Sequence, residues 1–542
     1  MSIRNSREWY RNAVFYSLDV KTFKDSDGDG MGDLKGLISK LDHLTWLGVD
    51  CLWLLPFYPS PLRDNGYDVS DYTNVDPRLG SLDEFDLFIK EATKRKLKVM
   101  IDLVINHTSI DHPWFKNART SLDSRYRHYY VWHKDPDHGK VKVVFDHVEE
   151  SVWAHTPETD MYYLHRFYKE QPDLNLSHPD VQEEILRIMD FWMDRGVSAF
   201  RVDAAHMITD PVEVEKTDYH SMHKLFNKMR DHLEQRSPDG VLLAEANVPP
   251  GKLADYFNDG EGDARMHMLF NFVGNKYAML ALARERADAL KKGLGLYEPV
   301  KAGHWMNFVR HHDELNMEQL SDEERAELFA AFAPQEKMRA LNGIRRRLPP
   351  MVANDRRRME LMYEIMFSLP GTPLINYGEE IGMGDDLSLK GRYAVRTPMQ
   401  WDGSTNGGFS SAPKEQLYLP VIDEGEFAHH HLNVEAQLGD PGSFMHFMRD
   451  LIARRKAHPI LGTSEWRMLA TNDDRTIALL YRGRSENVLV VHNFSRDQLT
   501  LEIAPGEDLL DPADVISGAP IDLKKIDLLP YGSLWIKLEN KL

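Results

Sequence analysis

The sequence predicts an α/β fold built on a closed (β/α)8 barrel, the TIM-barrel architecture. Eight short apolar, β-rich runs recur along the chain. The stretches between them, such as residues 34–48 and 81–96, place apolar residues at the 3.6-residue period of a helix. Eight such runs alternating with helices favour a parallel sheet that closes into a barrel over an open sheet. The predicted strands cover residues 13–20, 51–57, 97–106, 199–205, 241–246, 266–272, 306–313 and 373–378.

Three connections between the predicted strands are too long to be simple loops. Residues 107–172 follow the third strand and are rich in Tyr, His and Trp, which predicts a small inserted domain. Residues 314–362 are mostly helical in pattern and predict a helical insertion. Residues 379–440 are irregular and rich in Gly and Pro, so we expect them to form loops over the carboxyl-terminal face of the barrel.

The chain is long enough for more than one domain, because 542 residues exceed what a single hydrophobic core usually supports. From about residue 462 the pattern changes to strand-like alternation, as in "TIALLYRGRSENVLVVHNF". This change predicts an antiparallel β-sandwich domain over residues 462–542. The barrel is then expected in two parts, residues 1–106 and residues 173–461, with the inserted domain between them.

The composition excludes several classes of function. A formal net charge of −19 opposes nucleic-acid binding, because the phosphate backbone would be repelled. We interpret two basic triplets, residues 345–347 and 356–358, as solvated or salt-bridged faces. Cys51 is the only cysteine, so no intrachain disulfide is expected, and the sequence shows neither a signal core nor a run of ~20 apolar residues. We therefore expect a cytoplasmic enzyme without a membrane partner, and a homo-oligomer is compatible with the sequence.

Polar residues stand at the ends of several predicted strands. Asp203 ends the fourth strand, Glu245 the fifth and Asp313 the seventh, while Asn106 and His107 end the third. The carboxyl ends of parallel strands meet at one mouth of a barrel, where catalytic groups lie. One such carboxylate alone can be a helix N-cap, but the repetition at successive strand ends predicts an active site.

Four segments around these residues resemble the signature segments of the α-amylase superfamily (glycoside hydrolase family 13), which contains retaining glycoside hydrolases and transglycosidases. The segments are "DLVINH" (102–107), "FRVDAAH" (200–206), "LLAEAN" (242–247) and "VRHHDE" (309–314). The resemblance implies that Asp203 is the nucleophile, Glu245 the general acid/base and Asp313 a third catalytic carboxylate.

The chemistry of retention explains why these carboxylates need different surroundings. One must be ionised to attack the anomeric carbon, and a carboxylic acid roughly 5 Å away must protonate the leaving oxygen. Arg201 lies two residues before Asp203 on the same strand face, so we expect it to favour the ionised nucleophile. Glu245 stands among apolar letters in "LLAEA", and we expect an apolar setting that favours its protonated form. Asp313 would hold sugar hydroxyls as the ring flattens.

The resemblance also implies a closed glucose pocket. In "PLRDNGYD" (61–68), Asp64 would accept hydrogen bonds from hydroxyls at the non-reducing end and Tyr67 would stack on the ring, although the same letters also form an Asn-Gly turn. A histidine taken alone is more often a buried core residue. The other substrate-binding residues that the resemblance implies are the hydrogen-bond donors His107 and His312, the aromatic wall Phe167, and Arg392.

The loop "DSDGDGMGD" (25–33) predicts a structural metal site. Its spacing matches the first nine positions of an EF-hand loop, but Gly36 stands where the bidentate glutamate would be. The superfamily binds Ca²⁺ or Mg²⁺ in a loop of this kind, and the alternative is an acidic turn without metal. Part of the family has a second Ca²⁺ site, here at Asn106 and Asp173. No nucleotide-binding motif is found, so no organic cofactor is expected. The implied ligands of the first site are Asp25, Asp27, Asp29, the carbonyl of Met31, and Asp33.

Within the superfamily, several stretches resemble the trehalose synthases, which isomerise maltose to trehalose. They include "LLAEAN", "HDEL", "VRTPMQW" and "LNGIRRRLPPMVANDRRRMELM". Ala204 occupies a position where related glucosidases carry a small residue for α-1,4 linkages, in agreement with maltose as substrate. His311 and the letters "AAHM" depart from the synthase pattern. The alternatives are an α-glucosidase acting on maltose or sucrose, a sucrose isomerase, whose arginine-rich loop is absent, and an inactive binding subunit.

Overall fold

The centre of the protein is a closed barrel of eight parallel strands, which confirms the predicted fold class and all eight predicted strands. The structure is a computed structural model that describes residues 7–137, 143–144, 148–209, 219–258, 264–296, 303–340, 343–484, 486–504, 506 and 509–540. The first strand pairs with both the second and the eighth, so the sheet has no free edge. In chain order the barrel strands are Phe15–Leu18, Cys51–Leu54, Lys98–Leu103, Ala199–Val202, Val241–Ala244, Met268–Phe270, His304–Phe308 and Thr372–Asn376.

Alternation along the strands divides their side chains between two hydrophobic layers. Every second residue joins one buried cluster that draws on all eight strands, so this cluster fills the barrel interior. The residues between them belong to a larger cluster shared with the helices outside. The strand residues of the interior cluster are Phe15, Cys51, Trp53, Met100, Ala199, Val241, Leu243, Met268, Phe270, Met306, Phe308 and Leu374.

The helical patterns between the strands form helices that cover the barrel. Helix Leu82–Lys94 begins at a capping box between Ser81 and Glu84 and buries three apolar residues. The pattern over residues 34–48 forms two helices, Leu34–Ser39 and Leu41–Leu47. The other α-helices are Val20–Phe23, Pro113–Ala118, Pro179–Asp194, Ala205–Thr209, Tyr219–Arg236, Phe272–Arg284, Asp288–Gly295, Asp322–Phe332, Leu348–Met351, Arg356–Ser368, Val434–Leu438, Phe444–Ala457 and Ile460–Thr463.

The long connections contain their own structure. The segment after the third barrel strand includes an antiparallel sheet in the order Trp132–His133, Met161–Leu164, Trp153–Thr156, while residues 138–142 and 145–147 of the predicted inserted domain lie outside the described residues. The predicted helical insertion also contains short strands that its helical pattern did not predict. These strands are Leu315–Asn316, Arg339–Ala340 and Gly343–Ile344. The domain boundaries stay predictions.

The C-terminal part forms two antiparallel sheets around a separate apolar cluster, which confirms the predicted β-domain. Strands Leu499–Leu501 and Ile526–Leu528 form the smaller sheet. Among the described residues, none of the helices combines the length and apolar character needed to cross a membrane. The cytoplasmic location stays a prediction. The larger sheet contains Glu465–Leu469, Thr476–Arg482, Asn487–Asn493, Leu509–Asp514 and Ser533–Asn540.

Candidate active site

Strand alternation carries three polar side chains into the mouth of the barrel. Ala199 faces the barrel interior, so the two-residue period places Arg201 and Asp203 on the same face further along the strand. On the next strand Leu243 faces the interior, and Glu245 follows it two residues later. The same pattern that builds the apolar core therefore delivers the predicted nucleophile and acid/base to one place.

Arg201 is the central contact of this group. Its Nη1 donates to Oδ1 of Asp102 over 2.6 Å and to Oδ1 of Asp203, while its Nη2 donates to Oε2 of Glu245 over 2.8 Å. Asp102 is held further by the indole N–H of Trp53, at 2.9 Å. One buried guanidinium thus joins carboxylates from the third, fourth and fifth strands.

The surroundings of Glu245 are polar, and the predicted apolar setting is wrong. Its Oε2 accepts a second hydrogen bond from the backbone N–H of Ala204, at 3.1 Å. Ala204 adopts a φ of 45°, a left-handed conformation that is uncommon for a residue with a side chain. The apolar neighbours Leu242 and Leu243 lie in the two cores, whereas the carboxylate reaches past them to Arg201.

Burial and the arginine act in opposite directions on the acidic groups. Burial raises the pKa of Asp203, and the Arg201 guanidinium bonded to it lowers that pKa. Burial likewise raises the pKa of Asp102 to about 7, although Arg201 lowers it. Arg201 thus acts on Asp203 in the expected direction, but burial outweighs it and the pKa of Asp203 lies above its usual value.

Asp313 lies just beyond the seventh barrel strand, and there the charged neighbours outweigh the effect of burial on the pKa. It accepts a hydrogen bond from Nη2 of Arg396 at 2.7 Å, and its Oδ1 lies 3.2 Å from Nε of Arg392. Burial opposes ionisation, but the cationic Arg392, with His312 and Arg396, holds the pKa of Asp313 well below its usual value. Arg392 also donates to Glu314 at 2.8 Å. The segment 379–440 thus reaches the active site through two arginines, of which only Arg392 was predicted.

The predicted sugar-pocket residues form a connected set. The Tyr67 hydroxyl and Nε2 of His312 lie 2.8 Å apart, and Nε2 of His107 lies 3.2 Å from the Tyr67 carbonyl oxygen. The ring of Phe167 meets that of His107 edge to face, with centroids 5.2 Å apart. Because burial lowers the pKa of His107 to about 4, this imidazole is neutral at physiological pH.

Asp64 completes the pocket on the side of the second barrel strand. Its Oδ2 accepts a hydrogen bond from Nε2 of Gln171 at 2.9 Å, which ties the turn to the segment after the third strand. Burial raises the pKa of Asp64 to about 6, while Arg392 and the Gln171 hydrogen bond lower it.

One cavity joins most of these side chains. His107, Arg201 and His312 are buried behind its wall and contact residues that line it. The predicted residues that line the cavity are Asp64, Tyr67, Phe167, Asp203, Glu245, Asp313 and Arg392. The sequence analysis assigned no site role to most of the other lining residues, which are Val144, Ala204, His206, Met207, Asn247, Phe272, His311, Glu314, Asn316 and Glu318.

Two charged residues that contact Arg201 or Asp313 were missed, namely Asp102 and Arg396. Asp102 had a visible signal, since it is a charge inside an apolar run at the start of "DLVINH". Arg396 stands in "VRTPMQW" with no local indication that it meets Asp313 across the mouth. His311, noted only as a departure, accepts a hydrogen bond at Nδ1 from the Asp313 backbone N–H at 3.2 Å.

The acidic loop 25–33 brings its carboxylates together. One oxygen from each of Asp25, Asp27 and Asp29 lies within 4.8 Å of the others. Asp25 accepts hydrogen bonds from backbone N–H groups of its own loop and from the Ser410 hydroxyl. Asp33 accepts from both Ser26 and Gly36 and caps the helix that follows.

The predicted second metal site contains an arginine. Nη2 of Arg166 donates to Oδ1 of Asn106 at 2.7 Å, and Nε of Arg166 donates to Oδ2 of Asp173 at 2.6 Å. The amide nitrogen of Asn106 donates to the other oxygen of Asp173 at 3.3 Å. A guanidinium among these oxygens would repel a divalent cation, so these residues do not fit a metal ion and the prediction is wrong.

In the first basic triplet, Arg346 is salt-bridged as predicted, with its Nε 3.0 Å from Oδ2 of Asp385, but its two neighbours do not lie on a solvated face. Arg345 and Arg347 are buried. Nη1 of Arg345 donates to the Gly391 carbonyl at 3.0 Å, and Nη1 of Arg347 donates to the Tyr377 carbonyl at 2.8 Å. These arginines hold backbone segments at the barrel mouth, which a charge pattern alone does not predict.

Residues 19–464 match the family described as "Alpha amylase, catalytic domain". A trehalose synthase/amylase of Mycolicibacterium smegmatis is 39% identical over 91% of this chain and 86% of its own length. A trehalose synthase of Thermus thermophilus is 42% identical over 94% of this chain and 53% of its own length. A probable alpha-glucosidase of Rhizobium meliloti is 32% identical over 92% of this chain and 91% of its own length.

Solved structures agree with this relationship. The trehalulose synthase of Pseudomonas mesoacidophila MX-45 superposes with a TM-score of 0.78 at 27% identity, covering 98% of this chain and 99% of its own. A trehalose-6-phosphate hydrolase of Bacillus licheniformis gives a TM-score of 0.77 at 26% identity, covering 98% and 100%. On the family match and these identities, the chain belongs to the alpha-amylase family.

Proposed function

We propose that this protein is a trehalose synthase, which interconverts maltose and trehalose through a covalent glucosyl-enzyme and hydrolyses part of its substrate to glucose. The observation that carries the proposal is Arg201, which holds Asp203 and Glu245 together beside one cavity. The trehalose synthases among the relatives are 37–42% identical to this chain. Small α-glucosides are the substrates that such a site would take.

The first half-reaction uses the two carboxylates as a pair. An oxygen of Asp203 attacks the anomeric carbon of the non-reducing glucose of maltose, while Glu245 gives its proton to the glycosidic oxygen. The glycosidic bond breaks, and a β-glucosyl ester and free glucose result. A retaining mechanism needs these two carboxyl groups roughly 5–5.5 Å apart, and the guanidinium of Arg201 contacts both of them.

The acceptor in the second half-reaction decides between isomerisation and hydrolysis. The released glucose turns so that its 1-hydroxyl attacks the ester, Glu245 takes the hydroxyl proton, and Asp203 leaves as a carboxylate. The product is trehalose. Water in the place of glucose gives hydrolysis, so the balance depends on how well the cavity retains glucose and excludes solvent.

Asp313 and the glucose pocket would hold the reacting ring. Asp313 is paired with Arg392 and Arg396 and so stays ionised to accept hydrogen bonds from sugar hydroxyls as positive charge develops on the ring. The neutral imidazole of His107 and the Tyr67 ring would contact the same sugar. The roles of Asp313 and Tyr67 rest on the resemblance and on their positions in the cavity wall, whereas that of His107, which lies behind Tyr67, rests on the resemblance.

We further infer that the 25–33 loop binds Ca²⁺ or Mg²⁺. The three converging carboxylate oxygens fit hard cations, which prefer oxygen ligands. Asp33 and the Met31 carbonyl would complete the ligand set. The ion would stiffen the contact between this loop and the segment 410–418, through Ser410 and Tyr418, and takes no part in the reaction.

An α-glucosidase is the second candidate, because the relative from Rhizobium meliloti is a probable alpha-glucosidase and hydrolysis needs the same residues. Incubation with maltose, followed by NMR of the anomeric protons, separates the two. A trehalose synthase gives trehalose as the main product, whereas a glucosidase gives glucose alone. Asp203→Ala should abolish either activity, and full activity in that variant would exclude both candidates.

A further inference from the structure

Arg166 connects three separate parts of the active-site wall. It joins Asn106, three residues beyond the third barrel strand, to Asp173, beyond the inserted sheet. Its Nη1 also donates to the backbone carbonyl of Met207, in the helix that follows the nucleophile. All three partners are oxygen atoms, and they approach the guanidinium from three segments of the chain.

The residues held in this way adjoin the sugar pocket. His107 follows Asn106, and Phe167 follows Arg166, so both lie one residue from the junction. Met207 itself lines the cavity. The position of the pocket wall relative to the nucleophile strand therefore depends on this junction.

A buried carboxylate needs a cationic partner or hydrogen-bond donors, and buried carbonyl oxygens need hydrogen-bond donors. Asp173 is 1% exposed and Asn106 is fully buried, and Arg166 supplies both the positive charge and hydrogen-bond donors to their oxygens. Arg166 is itself 6% exposed and presents a fixed planar fork of donors, whereas a metal ion would gather the same oxygens around one point.

We propose that Arg166 is a positioning residue whose guanidinium takes the place of a divalent cation at this junction and holds the three segments together. The protein then needs no metal at Asn106 and Asp173, and its pocket wall keeps its place when metal is removed. The inference rests on these contacts and not on the identity of the sugar substrate, so it can fail while the proposed function stands, and the reverse.

The test compares full-length wild type, Arg166→Ala and Arg127→Ala by calcium titration calorimetry and by thermal unfolding with and without Ca²⁺. Arg127 is the matched control, because it is a buried arginine of the same segment that donates to the Ala118 carbonyl at 3.0 Å and lies over the ring of Trp132. Both variants should unfold at lower temperature than wild type. All three proteins should bind Ca²⁺ at the 25–33 loop, but only Arg166→Ala should bind one further equivalent, and Ca²⁺ should raise its unfolding temperature by more than that of wild type or Arg127→Ala.

Steady-state kinetics of the same variants provide a second test of the proposal. Arg166→Ala should lose about 10- to 100-fold in kcat/KM, as supporting residues of a site typically do, and Ca²⁺ or guanidinium ions should restore part of it. Neither ion should raise the activity of Arg127→Ala. The proposal is overturned if wild type loses one bound Ca²⁺ on Asp173→Ala, or if Arg166→Ala gains no Ca²⁺ site. Arg166→Lys is a control for folding, since it keeps the positive charge but lacks the planar set of N–H donors.

Discussion

The barrel mouth and the acidic loop 25–33 both concentrate carboxylates, but they stabilise them by different means. At the mouth, Asp203 and Glu245 share the guanidinium of Arg201. In the loop, Asp25 is bonded by backbone N–H groups and a serine hydroxyl. The mouth therefore supplies its positive charge from the chain, whereas the loop gathers negative charge that a bound ion would neutralise.

This difference distinguishes a group of carboxylates suited to catalysis from a group suited to binding a structural ion. A carboxylate paired with an arginine keeps a fixed position and one oxygen free for attack or proton transfer. Carboxylates that converge in a turn are suited to hold an ion, and an ion on them would block attack. The following predictions test whether the two groups behave in these two ways.

The largest effect is expected at the nucleophile. Asp203→Asn should lower kcat on maltose by at least about 1,000-fold, because the covalent intermediate cannot form. Initial rates of trehalose and glucose release measure this. Asp231→Asn, on an exposed helix surface, is the control and should keep its rate. Residual activity within tenfold of wild type would remove Asp203 from the nucleophile's role.

A smaller loss is expected when the shared guanidinium is removed. Arg201→Gln should lower kcat by about 100- to 1,000-fold, the range for loss of a charge-stabilising donor. Arg201→Lys should also be impaired, because one ammonium group cannot span Asp203 and Glu245 as the planar fork does. Steady-state kinetics on maltose gives both values. If Arg201→Lys matched wild type, a point charge would suffice and the bridging geometry would be irrelevant.

Acid should destabilise the mouth through His107. Burial lowers the pKa of His107 to about 4, against about 6.5 in the unfolded chain, so the unfolded state binds more protons between these values. Stability from the neutral imidazole is complete above about pH 6.5 and is lost as the pH falls through about 4, by on the order of 3 kcal/mol. His107→Gln should flatten this part of the profile of unfolding free energy against pH. An unchanged slope would contradict the assigned neutral state.

The smallest effect is expected at the acidic loop. Chelation should lower the unfolding temperature by a few degrees, since an ion bound at tenfold its Kd contributes about 1–2 kcal/mol. Asp27→Ala should show the lower temperature from the start and no response to chelator. Differential scanning calorimetry with and without EDTA measures both. Equal responses of wild type and Asp27→Ala would place any bound metal elsewhere.

Much of the fold followed from the sequence because strand and helix periods are local. All eight barrel strands were predicted, and so was the position of Asp203 and Glu245 at the strand ends. The partners of Arg201 were not all predicted, because they depend on the barrel register, which sets Asp102 opposite Arg201. That register is a property of the closed sheet and not of any one segment.

Long-range contacts account for the errors. Arg166 meets Asn106 across 60 positions of sequence, and no local pattern in "HRFYKEQPDLN" indicates that it replaces a metal. Arg345 looked like a surface charge because its partners are backbone carbonyls, which leave no mark in the sequence. The apolar letters around Glu245 describe the strand core and say nothing of where the carboxylate extends.

The glucosyl ester on Asp203 is the central claim, and its capture is the most direct test. Glu245→Gln lacks the acid/base, so α-glucosyl fluoride, whose leaving group needs no proton, should form the ester faster than it is broken down. Mass spectrometry of a peptic digest should then find one glucosyl unit on the peptide that contains Asp203. A label on another residue, or none when fluoride is released in a burst, would contradict the account.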